Sequence, residues 1–65
     1  MTECKFIYGK AFGSGDGYRI YDVTDNGKSY YELQFNEEFV NNFETFDDAK
    51  KHGEDMYLLI GEKKI

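Results

Sequence analysis

Residues 18–35 read YRIYDVT-DNGK-SYYELQF, two alternating runs joined by Asn26-Gly27. Asn-Gly is the strongest short signal for a two-residue hairpin, because a type I′ turn needs positive φ at both central positions. Placing Asn26 and Gly27 there sets the register. Asp25 opposes Lys28, Val23 opposes Tyr30, Asp22 opposes Tyr31, Tyr21 opposes Glu32, Ile20 opposes Leu33 and Tyr18 opposes Phe35. Side chains alternate between the two faces of a sheet. One face therefore collects Tyr18, Ile20, Tyr31, Leu33 and Phe35, with Asp22 near the turn, and is the predicted core face. The other collects Arg19, Tyr21, Val23, Tyr30, Glu32 and Gln34.

Working outward, CKFIYGKAF at 4–12 alternates and predicts a strand with Cys4, Phe6, Tyr8 and Phe12 on one face. GSGDG at 13–17 predicts a loop. NEEFVNNFE at 36–44 fits either a short helix capped by Asn36, which would pair Phe39 with Phe43, or an extended edge; an irregular or short helical connection is the preferred reading. Residues 45–56 predict a helix: Thr45 is a good N-cap, Asp47 and Asp48 suit the first turn, and Phe46, Ala49, Gly53 and Met56 form one stripe. Gly53 either lets the helix approach the sheet closely or ends the helix. YLLI at 57–60 is a short apolar run that suits a central strand. The expected architecture is α+β: three strands, a connection, a helix and a fourth strand, with the helix on one face of a mostly antiparallel sheet.

Sixty-five residues allow one domain, residues 1–65, with one core. Six Phe and six Tyr supply that core, each burying roughly 150–250 Å². A single cysteine, Cys4, excludes an intrachain disulfide and predicts a reducing, cytoplasmic setting; in the first strand it is expected as a small buried hydrophobe. No apolar run approaches the ~20 residues of a membrane span, and the first residues lack the pattern of a signal peptide. The net charge is −5, and residues 16–48 alone carry nine acids against Arg19 and Lys28. Direct nucleic-acid binding is not expected from that balance; a protein partner with a basic surface is, a nucleic-acid-binding protein or complex among them.

Local motifs for chemistry are incomplete. Gly13-Ser14-Gly15-Asp16-Gly17 precedes a strand and lacks the Gly-Lys-Ser/Thr of a phosphate loop. Asp22, Asp25 and Asn26 have the wrong spacing for a calcium loop, and the hairpin already explains them. Cys4 with His52 as nucleophile and base rests on nothing beyond the presence of the two residues, and Asp or Asn partners are too common here to add weight; the adjacent Glu37 and Glu38 read as a solvated face. The expectation is a non-enzymatic chain with no metal and no cofactor.

Two surface features remain. The outer hairpin face clusters Tyr21, Val23 and Tyr30, flanked by Arg19, Glu32 and Gln34; Tyr and Arg are enriched at binding hot spots. The acids Asp22, Asp25, Glu37, Glu38, Glu44, Asp47 and Asp48 form the second: carboxylates on a rigid surface imitate rows of phosphate and engage a basic groove. In size and composition, without any shared motif, the chain is similar in general character to small phage-encoded inhibitors of host enzymes or defence systems, anti-CRISPR proteins included. The expected function is a protein-interaction module that occludes a basic surface with acids and tyrosines, as a DNA mimic does. The alternative is a small-ligand or peptide-binding domain using the aromatic sheet face or a sheet edge. A homodimer through the Tyr21/Tyr30 face is a third expectation.

Overall fold

The computed structural model describes residues 2–11 and 15–63, the side chains of 60–63 excepted. It is a small α+β fold. Strands β1 (Thr2–Ala11), β2 (Gly17–Asp25), β3 (Lys28–Phe35) and β4 (Glu38–Phe43) precede one helix, α1 (Phe46–Lys63). The strands form one antiparallel sheet in the order β1-β2-β3-β4, so each pairs with its neighbour in sequence.

The central hairpin has the register its turn demands, from Asp25 opposite Lys28 to Tyr18 opposite Phe35. Asn26 and Gly27 both have positive φ, at 51° and 81°. On its inner face Tyr18, Ile20, Leu33 and Phe35 are buried, with Tyr31 half-buried beside them. The fourth strand, however, is drawn from residues 36–44 and not from 57–60. Asn36 and Glu37 also take positive φ (53° and 69°) and turn the chain so that Phe35 opposes Glu38. A second two-residue hairpin thus replaces the expected irregular or helical connection. Asn36 holds it in place. Its backbone N–H donates to the Gly17 carbonyl at 2.8 Å, and its side-chain oxygen accepts from the Gly17 N–H at 3.0 Å.

The helix begins where expected. Thr45 Oγ1 accepts the Asp48 backbone N–H at 3.2 Å, and Asp47 and Asp48 occupy the first turn. It does not stop at Met56. Residues 57–60 continue it, because Glu54 to Leu59 are mostly strong helix formers and the sheet already has its fourth strand. Gly53 is an interior residue: a Cβ there would lie 2.7 Å from Tyr18 Cδ2. It therefore serves close packing, and the helix-ending reading falls. The core is Tyr18, Ile20, Leu33, Phe35 and Ala49, flanked by Tyr8, Phe43, Phe46, Met56 and others. Rings of Tyr8 and Tyr31 meet Phe46 edge-on at 5.6 and 6.2 Å.

Each edge strand carries an irregularity. In β1 the register shifts between Phe6 and Tyr8, leaving Ile7 as the extra residue. Cys4 and Phe6 consequently share the face of Val23 and Tyr21, while Tyr8 turns to the core with Ile20. The expectation that Cys4, Phe6 and Tyr8 share one face is thus overturned, and Phe12 lies outside the described residues. Cys4 is exposed rather than buried. In β4 the shift falls between Asn41 and Phe39, opposite Leu33 and Gln34. Val40 packs against the core, and Phe39 faces outward. Among the described residues, no helix is long and apolar enough to cross a membrane.

Candidate protein-interaction surfaces

The helix covers one side of the sheet. Among the described residues no element lies on the other, which is built in cross-strand rows. Cys4, Val23 and Tyr30 form one row, Phe6, Tyr21, Glu32 and Asn42 the next, and Gly9, Arg19, Gln34 and Phe39 a third. Val23 is 3% exposed yet stands outside the core cluster, so its neighbours on this open face shield it. Phe6 packs edge-on against Tyr21 with ring centroids 5.8 Å apart and still keeps 54% of its surface exposed; Phe39 keeps 60%. The expected set of Arg19, Tyr21, Tyr30 and Glu32 is brought together here. Phe6 and Phe39 are additions that alternation alone misses, since the irregularities at both edges change the phase of the side chains. The one trace in the sequence is Gly9: a Cβ there would meet the Phe6 ring at 2.9 Å.

Beside Phe6 the face dips into a depression of about 430 Å³, lined in part by Gly9, Gly17, Arg19, Gln34 and Glu37. The glycines leave its floor bare. A Cβ at Gly17 would lie 2.8 Å from the Lys10 carbonyl oxygen. Gln34 Nε2 donates to Glu32 Oε2 at 2.7 Å, which orients that carboxylate.

Most of the acids do not share this surface. Of the expected set, the strands place Asp25 and Glu32 on the open face, and Glu37 lies at the edge of its depression; Asp25 opposes Lys28 and accepts the Thr2 hydroxyl at 3.0 Å. Asp22 and Glu38 face the helix side, opposite Tyr31 and Phe35. Asp47 and Asp48 lie on the helix and Glu44 just before it, while Glu37 sits in the second turn. Charge therefore segregates. Along the strands the open face carries Arg19 and Lys28 against Asp25 and Glu32 and is balanced, with Lys10, Asp16 and Glu37 at the depression on its edge, although the chain as a whole is at −5. The excess of acid belongs to the helix side and the strand ends. Sequence position alone places Tyr21 and Tyr30 in one stretch with these acids, and the pleat sends Asp22 and Glu38 to the side opposite those two tyrosines.

Polar contacts to Glu54 help to pin the helix side. The Tyr18 hydroxyl donates to Glu54 Oε1 at 2.8 Å, and Lys10 Nζ reaches the same oxygen at 3.4 Å. Burial first, then the bond to Glu54, pushes the Tyr18 hydroxyl well above its ordinary value of 10.0. The bond from Tyr18, with help from Lys10, holds the Glu54 carboxyl below its ordinary 4.5 against the opposing effect of desolvation. Cys4 is raised, by desolvation and then by Glu32. Cys4 stands on the open face and His52 on the helix against the Phe43 ring (5.4 Å), so the sheet separates them.

Compared with family models, with curated proteins and with solved structures, the chain matches none.

Proposed function

We propose that this protein is a non-catalytic interaction module whose acidic, helix-bearing side occludes a basic surface on a protein partner. The observation that carries the reading is the segregation of charge: the excess of acid is displayed opposite a balanced aromatic face. Asp22, Glu44, Asp47 and Asp48 cluster in topology around the start of α1, where Phe46 meets Tyr31, the cross-strand neighbour of Asp22. A rigid sheet and a capped helix hold these carboxylates in place, so little ordering cost attends docking. Attraction of this kind speeds encounter and fades with ionic strength.

The test is affinity capture with the wild-type chain and with a variant carrying Asp22→Asn, Asp47→Asn and Asp48→Asn, at low and physiological salt. The expected result is a basic protein retained by the wild type, released by salt and lost by the variant, while Tyr21→Ser retains it. Equal retention by the acid variant would remove the proposal. One observation favours the alternative of a peptide or small ligand: the depression beside Phe6 and Arg19. Chemical-shift changes confined to Gly9, Arg19 and Gln34 during a fragment screen by NMR would support it, and a screen without them would count against it.

A further inference from the structure

We propose that the open sheet face is occupied by a second copy of this chain, in a two-fold, face-to-face contact that sets Arg19 of each copy against Glu32 of the other. The contact uses a different surface from the acidic side, so it stands or falls separately from the reading above.

Charge favours this face. Two chains at −5 repel, and they approach most easily through a face that carries no net charge. The strand residues of the open face meet that condition, because Arg19 and Lys28 balance Asp25 and Glu32. The arrangement of those charges favours a two-fold contact. Strands lie about 4.8 Å apart, and same-face residues about 6.6 Å apart along a strand. On that grid Phe6, Tyr21, Gln34 and Phe39, one from each strand, fall close to a single diagonal. Arg19 and Glu32 stand on opposite sides of it. A two-fold axis lying between two sheets and running along this diagonal places Phe6, Tyr21 and Phe39 near their own counterparts. The same rotation exchanges the positions of Arg19 and Glu32, so two ion pairs form at once. An isologous contact requires this kind of self-complementarity.

Two further facts agree. Arg19 is exposed and has no ion-pair partner within its own chain among the described residues, whereas Gln34 already orients the Glu32 carboxylate. The surface needed is also modest. A stable dimer of standard size buries about 800 Å² per partner, one sixth of the 4806 Å² this chain exposes. A face spanning all four strands, with Phe6 and Phe39 each more than half exposed, is suited to supply it. Sheets packed face to face in this manner lie about 10 Å apart and leave the two helices outermost.

The test is analytical ultracentrifugation of the variants Arg19→Glu and Glu32→Arg, separately and mixed. Each alone sets like charges face to face twice, and a monomer is expected at concentrations where the wild type is a dimer. Mixed in equal amounts, the chain with two acids at these positions meets the chain with two arginines. Both cross-copy contacts then pair opposite charges, and a one-to-one heterodimer is expected. That rescue depends on the two-fold geometry and on no other partner. A wild type that stays monomeric, variants that dimerise unchanged, or a mixture that stays monomeric would each overturn the proposal. If a reversal unfolds the chain, Phe39→Glu serves instead. It alters an exposed position and sets two carboxylates against each other across the axis, so at least a tenfold weaker dimer is expected and an unchanged one refutes the contact.

Discussion

Replacing Gly53 by Ala opposes two effects of known sign. In an exposed helix interior Gly→Ala is stabilising by about 1 kcal/mol, through helix propensity. Here the new Cβ would lie 2.7, 2.9 and 3.0 Å from Tyr18 Cδ2, Cγ and Cε2. These atoms belong to a ring that is 1% exposed and tethered at its far end by the hydroxyl bond to Glu54. The ring has nowhere to retreat, so the helix must lift or the tether must break. Overpacking of this kind costs typically about 1–3 kcal/mol, and a tethered ring belongs in the upper half of that range. The net expectation is a loss of about 1–2 kcal/mol, which in a domain this small lowers Tm by roughly 5–12 °C. Thermal unfolding followed by far-ultraviolet circular dichroism measures it. A Tm equal to or above that of the wild type would refute the claim that Gly53 is there for close approach, and would leave helix propensity as the deciding effect.

Glu37→Gly should raise stability by about 0.5–1 kcal/mol in a urea titration, because it relieves an L-residue held at a φ of 69° in an exposed turn. Thr45→Ala should lower it by about 0.5–2 kcal/mol, the usual cost of losing an N-cap, and fray the first turn in hydrogen exchange. The Tyr18–Glu54 contact gives a pH dependence with a defined sign. Glu54 is held below its ordinary 4.5, so its contribution is complete above that pH and is lost as pH falls further. Tyr18 is raised above its ordinary 10.0, so its contribution is complete below that pH and is lost as pH rises further. The stability gap between wild type and Tyr18→Phe should therefore be widest between those values and narrow on both sides; a gap independent of pH would show that the contact is not responsible.

The parts of the fold that declare themselves in the sequence are those with strong local chemistry. Asn26-Gly27 fixes a turn and through it eight cross-strand pairs, and Thr45 with Asp47 and Asp48 marks a helix start. The second hairpin is hidden because Asn36 is followed by Glu37, where a type I′ turn ordinarily takes glycine. Its strand is also short and rich in Asn, with an irregularity at Val40 that breaks the alternation. YLLI at 57–60 misleads for the opposite reason. A short apolar run suits strand and helix alike, and what decides is the tertiary context of a sheet already complete and a glycine used for packing. The candidate surface is half legible. Arg19, Tyr21, Tyr30 and Glu32 follow from the register, whereas Phe6 and Phe39 join them only through irregularities in the edge strands that leave almost no mark on composition. The separation of acids from tyrosines is hidden as well, because neighbours in sequence point to opposite faces of a strand.

This chain sets a charge-balanced aromatic strand face on one side and its excess of acid on the other. Sedimentation equilibrium of the wild-type chain at low and high salt tests that arrangement most directly. The expected result is a mass that climbs with concentration toward twice 7.6 kDa, with an association that strengthens as salt screens the repulsion between two chains at −5. A mass fixed at 7.6 kDa across the accessible range, or an association that weakens as salt rises, would contradict it.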